Sequence, residues 1–432
     1  MMRLLITLIL LFLAPLFAAH ADDEENEWTR FRGPNGSGIS GAQAIPVKWT
    51  AKEYNWTIAL PGDGSSSPVV WKEKLFVTCN DRTKSIRSVV CVNATDGKIH
   101  WRRDFPYVSY RMHRDNDFAS ATPTVDGDGV VVVWSMPKQL LMLALDLEGK
   151  ELWRRDLGPY VGIHGSASSP IIADGLVILA NDQMDPKIMK HYLPKDASMV
   201  PEKSFLIAVD RMTGKTRWKI DRRTVLAGYS TPCIRQTGGA GPEIVFSGTA
   251  HGMTGVDLAT GKINWEIKGI LNSRVVGSPQ LYQDLVFGSY GSGLSAQRLV
   301  AVRAPRKGGV KEPKVAYNVS QSPPLVPSCL IKDDLLFLWT DSGIVSCLDA
   351  ATGERHWRER VGGNYYCSPV WIDGRLYCTS KEGDVVVLAA DKTFKLLAKN
   401  SLGEKCFAVP AVAHGVMYQR TQTKLFSLGG KN

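Results

Sequence analysis

The chain lacks the spaced motifs that announce most catalytic and metal chemistry. None of its eight cysteines stands in a C-x-x-C pair, which removes a zinc or thioredoxin-like reading. No Gly-rich phosphate loop, nucleophile elbow or H-E-x-x-H motif occurs. No stretch beyond residue 21 is apolar enough to cross a bilayer. Amphipathic helical periodicity is missing as well, so the apolar residues must be buried in strands. Aromatics are only 9% of the 432 residues, yet they recur at regular places, and that regularity carries most of the information.

The ends and the bulk bound the remaining classes. Residues 1–21 read as a signal peptide, with Arg3 as the basic start, Leu4–Phe17 as the apolar run and Ala19-His20-Ala21 as the cleavage site. The expected mature chain is exported, periplasmic or secreted, and has no transmembrane segment. Cys is missing near the cleavage site, which leaves no attachment point for a lipid anchor. Net charge is +10, but the cations are scattered over turns, so a solvated surface accounts for them better than a nucleic-acid partner. Export permits disulfides. Cys79 and Cys91 flank one expected hairpin and either face each other or remain buried thiols.

Asp257–Trp265 (DLATGKINW) is the most informative stretch. It returns as Asn93–Trp101, Asp146–Trp153, Asp210–Trp218 and Asp349–Trp357. Copies spaced by about 50 residues mark a repeat architecture. A second signal, a small-residue run around a proline and then a β-branched strand, occurs eight times, at Pro68, Pro123, Pro170, Pro232, Pro279, Pro327, Pro369 and Pro410. Between the two signals lie short Val/Ile/Leu runs separated by turn residues, which read as strands. Four antiparallel strands per unit, repeated eight times, predict an all-β, eight-bladed β-propeller. Residues 22–48 are then a leader and N-terminal loop, and 49–430 the propeller.

In this frame Trp56, Trp101, Trp153, Trp218, Trp265 and Trp357 dock neighbouring sheets. The eighth unit lacks a fourth strand, and Tyr54–Leu60 has one to give, so Trp56 closes the ring. Tyr317 replaces Trp in unit five, and Leu396 or Leu397 in unit seven. Connectivity puts the loop between strands two and three on the same face as the links between blades. The long segments 104–118 and 183–203 fall on that face and make it the expected working surface. The basic insertion Arg303–Lys314 falls on the other.

The Trp phrase resembles the docking repeat of the pyrroloquinoline quinone (PQQ) propeller superfamily, over about residues 49–430. The resemblance implies two roles: quinoprotein alcohol and glucose dehydrogenases, and non-enzymatic proteins like the outer-membrane assembly lipoprotein. The opening WTRFRGPNGSG resembles secreted PQQ-like repeat proteins. A quinoprotein would use a base, a divalent cation and groups gripping the quinone. The adjacent cysteines typical of that family and a haem-binding C-x-x-C-H are both missing. The favoured expectation is therefore a monomeric, non-catalytic binding or scaffolding propeller. Its partner is a protein or an anionic small molecule or polysaccharide. A PQQ-dependent dehydrogenase, with PQQ and calcium, is the alternative. No catalytic or metal residue is assigned.

Candidate ligand-binding residues are Arg114, Asp117, His164, Tyr229 and Arg274, which stand just before first strands where a central funnel would open. Arg111, His113, Asp115, Asn364, Tyr365 and Lys405 hold similar places. Converging cations would suit an anion; the competing reading is local pairing, such as Arg114 with Asp117. Asp126-Gly127-Asp128-Gly129 is read as a hairpin turn and not a calcium loop. Asp115-Asn116-Asp117 is the better of two weak cation candidates.

Overall fold

The computed structural model describes residues 26–110, 112–136, 138–160, 162, 164–185, 187–188, 203–239, 241–292 and 295–430. The expected signal peptide, Arg111 and most of the 183–203 loop lie outside the described residues. Eight four-stranded antiparallel sheets form the propeller. Blade 1 runs Val69–Trp71, Lys74–Asp81, Ile86–Asn93 and Ile99–Pro106 from the axis outward. Six more follow in chain order, ending with blade 7 at Leu396–Ser401. Blade 8 takes Ala411–Ala413, Val416–Arg420 and Lys424–Gly429 from the end of the chain, and Tyr54–Ala59 from its beginning. The ring is thus fastened by joining its two ends, as the Trp56 strand predicts.

The Trp phrase works as a two-part joint. Its Asp or Asn shapes the turn: Asp257 accepts from the Thr260 amide (2.8 Å) and hydroxyl (2.6 Å), and these bonds hold the Asp257 carboxyl below its ordinary range. Its Gly admits the ring of the preceding blade. Gly261 has φ +74°, and a Cβ there would lie 2.6 Å from Trp218, so only glycine fits. The indole then donates to a carbonyl of the next blade: Trp56 to Ala94, Trp101 to Leu147, Trp153 to Arg211, Trp218 to Leu258 and Trp357 to Asp391, all at 2.9–3.0 Å. Tyr317 does the same with Ala350 at 2.7 Å.

Two seams depart from the rule. Blade 5 has the Arg303–Lys314 insertion where the Gly turn belongs. Trp265 therefore turns to Glu243 of its own blade (2.8 Å), which is paired with Arg235, which in turn reaches the Pro305 carbonyl. In blade 7 the outer strand bulges one residue before the docking position, as the other outer strands do. Leu396 stands opposite Leu388 and Ala398 opposite Val387. The Trp position is therefore Ala398, not Leu396 or Leu397, because the bulge adds one residue. Beside the small Ala398, Trp49, just past the leader, is buried in the same cluster, and its amide donates to Asn400 of the blade 7 outer strand.

The proline signal has a different cause. A hydroxyl beside seven of the eight prolines accepts the amide of its counterpart in the preceding blade. Ser67 N–H donates to Thr122, Thr122 to Ser169, Ser169 to Thr231, Thr231 to Ser278, Ser278 to Ser328 and Ser328 to Ser368. Val409 N–H donates to Ser67 and links blade 8 back to blade 1. This belt of buried side-chain-to-backbone bonds lines the axis. Only Val409 has no hydroxyl to offer the Ser368 amide.

The N-terminal loop seals one mouth of the axis. Trp28 exchanges backbone bonds with Val70 of blade 1, Thr29 accepts from blade 2, Asn35 bonds Ile234 of blade 4, and Ile39–Ser40 adds a parallel strand to blade 7. Arg30 donates to the Pro232 carbonyl, and Arg32 to those of Cys329 (3.1 Å) and Ser37 (3.1 Å). Burial lowers both guanidiniums to about 10, and neither makes an ion pair among the described residues. The Arg303–Lys314 insertion lies on this same face, with Lys307 against Gly239 of a first-to-second-strand turn.

All eight cysteines are buried free thiols. Cys79 stands opposite Ser88 and Cys91 opposite Phe76. The two therefore point to opposite faces of blade 1, into separate core clusters. The Asp126–Gly129 turn joins two strands, and Asp126 is paired with Arg211 at 2.7 Å. Among the described residues no helix is long and apolar enough to cross a membrane.

Candidate functional site

The open mouth of the axis holds a cavity of about 590 Å³, floored by Phe31 of the plug and ringed by the hydroxyl belt. Links between blades and turns between second and third strands supply its upper wall, so it lies on the face that bears the 104–118 segment. His113, Asp115, His164, Tyr229, Arg274 and Asn364 line it.

Three of the five favoured residues meet. Arg274 Nη1 lies 3.1 Å from His164 Nε2, and His164 Nδ1 lies 2.9 Å from Asn116 Oδ1. A guanidinium only donates, so Nε2 accepts and the proton sits on Nδ1. Burial and then the charge of Arg274 lower His164 from 6.5 to about 3. The ring is neutral, and both nitrogens are engaged. Tyr229 meets His164 edge-on at 5.6 Å. Its hydroxyl is buried and faces the His164 amide, but its proton has no acceptor among the described residues, and Arg274 Nε is buried without a partner among them.

The other two favoured residues do something else. Asp117 is buried, accepts from the Ala119 amide (2.7 Å) and is bonded to Ser65, which holds the end of the 104–118 link in place. Arg114 is exposed, does not line the cavity and makes no ion pair with Asp117. Its neighbour Asp115 points inward. It crosses to blade 7, where Lys381 Nζ lies at 2.9 Å and Tyr366 OH at 3.2 Å. Lys381 also stacks over the Tyr366 ring at 4.3 Å. The 104–118 link is thus a strap over the mouth, fastened at Asp115. Lys381 holds the Asp115 carboxyl below its usual range.

Sequence reading missed Lys381 and Tyr366. Lys381 sits in a short turn that reads as ordinary solvated surface. Tyr366 was passed over for Tyr365, which is buried against Trp339 at 5.2 Å and does not line the cavity. Lys405 is exposed outside it. Asp341 was missed as well. It accepts from the Leu325 and Val326 amides (2.9 and 3.2 Å), and burial raises its carboxyl.

These residues do not fit a metal-bound quinone. No group of three His, Cys, Asp or Glu side chains is placed to hold a metal among the described residues. Asp115, Asn116 and Asp117 diverge to three different partners, and His164 has no free lone pair to act as base.

Solved structures share the architecture. BamB from Moraxella catarrhalis matches with a TM-score of 0.61 at 16% identity, over 87% of this chain and 97% of its own. Quinohemoprotein alcohol dehydrogenase from Comamonas testosteroni matches with a TM-score of 0.65 at 11% identity, over 95% and 81%. The computationally designed Ika8 protein matches at 0.57 and 10%, over 86% and 98%. An assembly factor, an enzyme and a design on one scaffold show the fold alone. No curated protein matches the chain. The family profile described as outer membrane protein assembly factor BamB matches residues 48–190, 87–358, 318–394 and 341–426, and the chain belongs to that family.

Proposed function

We propose that this protein is an exported, monomeric, non-catalytic propeller that docks a protein partner on the face bearing the 104–118 and 183–203 segments. The asymmetry of the two mouths supports this reading. One is closed by the plug, whose arginines are spent on backbone carbonyls. The other opens on a cavity under a strap longer than two adjacent blades need. The family's description as an outer membrane protein assembly factor supports a binding role outside the cytoplasm. The neutral, doubly engaged His164 weighs against the alternative, PQQ-dependent dehydrogenation.

A photo-crosslinking amino acid at Val108, which is 68% exposed on the strap, should give a saturable, size-shifted adduct in the native envelope fraction. The same group at Lys307, on the plugged face, should not. Adducts confined to position 307 would overturn the assignment of the face. Purified protein given PQQ and calcium should not reduce an artificial acceptor with alcohols or sugars; turnover would replace this reading with the enzymatic one.

A further inference from the structure

The cavity wall contains two donors with no acceptor. Arg274 Nε and the Tyr229 O–H are buried with no acceptor among the described residues, and both residues line the cavity. Tyr229 is only 8% exposed. A buried donor left unpaired costs about 1–3 kcal/mol, and a guanidinium cannot accept a bond in compensation. The local charge balance points the same way. Asp115 is neutralised by Lys381, and Arg274 meets only the neutral His164. Asp341, the other carboxylate that lines the cavity, is satisfied by the Leu325 and Val326 amides, which leaves Arg274 as the lining cation without a carboxylate partner among the described residues.

We propose that the funnel binds a carboxylate, held by the Nε edge of Arg274 and the hydroxyl of Tyr229. A planar carboxylate matches the edge of a guanidinium better than a spherical anion does. A cavity of about 590 Å³ lies within the range of small-ligand sites. The carboxylate belongs either to a free organic acid or to the end of a partner's chain inserted under the strap. The inference rests on the reading that the open mouth is the working face, and it names the chemistry of that site.

The test uses the full mature chain. Succinate is one calorimetric titrant. The others are a hexapeptide with a free C-terminal carboxylate and the same peptide amidated. Saturable binding of succinate or of the free peptide is expected. Tyr229→Phe and Arg274→Gln should each weaken it about ten-fold or more. Melting temperatures of both variants, measured alongside, separate a loss of binding from a loss of folding. Succinate binding alone identifies a small acid; binding of the free peptide but not the amidated one identifies a chain end. The proposal fails if neither binds in the millimolar range, if amidation makes no difference to a peptide when succinate is inert, or if both variants bind as the wild type does. A blank titration beside a Val108 crosslink sinks only the carboxylate; a crosslink confined to position 307 sinks the face itself.

Discussion

Acidifying the protein should expose the environment of His164. In the folded ring its imidazole protonates only near pH 3, against 6.5 when unfolded. Between those values the unfolded chain binds more protons than the folded one, so stability falls as pH falls. The contribution is fully present above pH 6.5. At pH 5 the loss is about 1.5 pH units of protonation, or about 2 kcal/mol. Asp341 runs the other way, because burial raises its carboxyl, so the His164 effect must be isolated by difference. His164→Gln keeps an acceptor for Arg274 but cannot titrate. Urea unfolding of both proteins, followed by tryptophan fluorescence from pH 7.5 to 5, should show the wild type losing about 2 kcal/mol more than the variant. Parallel pH profiles would mean that His164 is solvated or has rotated away from Arg274. The neutral ring would then no longer argue against a catalytic base.

Two further predictions probe how the ring is held. Thr122→Val keeps the shape of the side chain but removes the acceptor of the Ser67 amide, and should cost about 1–3 kcal/mol in urea unfolding; Val409→Thr, which offers a hydroxyl to Ser368, should stabilise by about 1 kcal/mol, and equal midpoints for all three proteins would refute the belt. Gly261→Ala forces a Cβ to within 2.6 Å of Trp218 at φ +74°, whereas Gly175→Ala meets nothing at φ +69°. The first should cost about 2–4 kcal/mol and the second about 1, and equal losses would mean that the indole yields freely.

The architecture was legible because each blade solves one local problem repeatedly. A turn glycine and an indole lie within one phrase, so a linear period reports them. The proline signal was equally visible, but its reason was not, since the Ser67-to-Thr122 bond exists only when neighbouring blades stand side by side. One-residue displacements then decide what a period cannot. The bulge moves the blade 7 docking position from Leu396 to Ala398. Entry into the inner strand sends Tyr366 to the cavity and Tyr365 to the core. In the strap there is no periodicity to choose between Arg114 and Asp115, and the choice is made by Lys381, 266 residues later in the chain. The chemistry of the funnel is assembled from such long-range meetings. Arg274 and His164 are 110 residues apart, and what makes the pair informative is the proton it excludes and the donors it leaves unpaired. Neither is a property of residue type. Both follow from burial, which the sequence sets only through the closed ring.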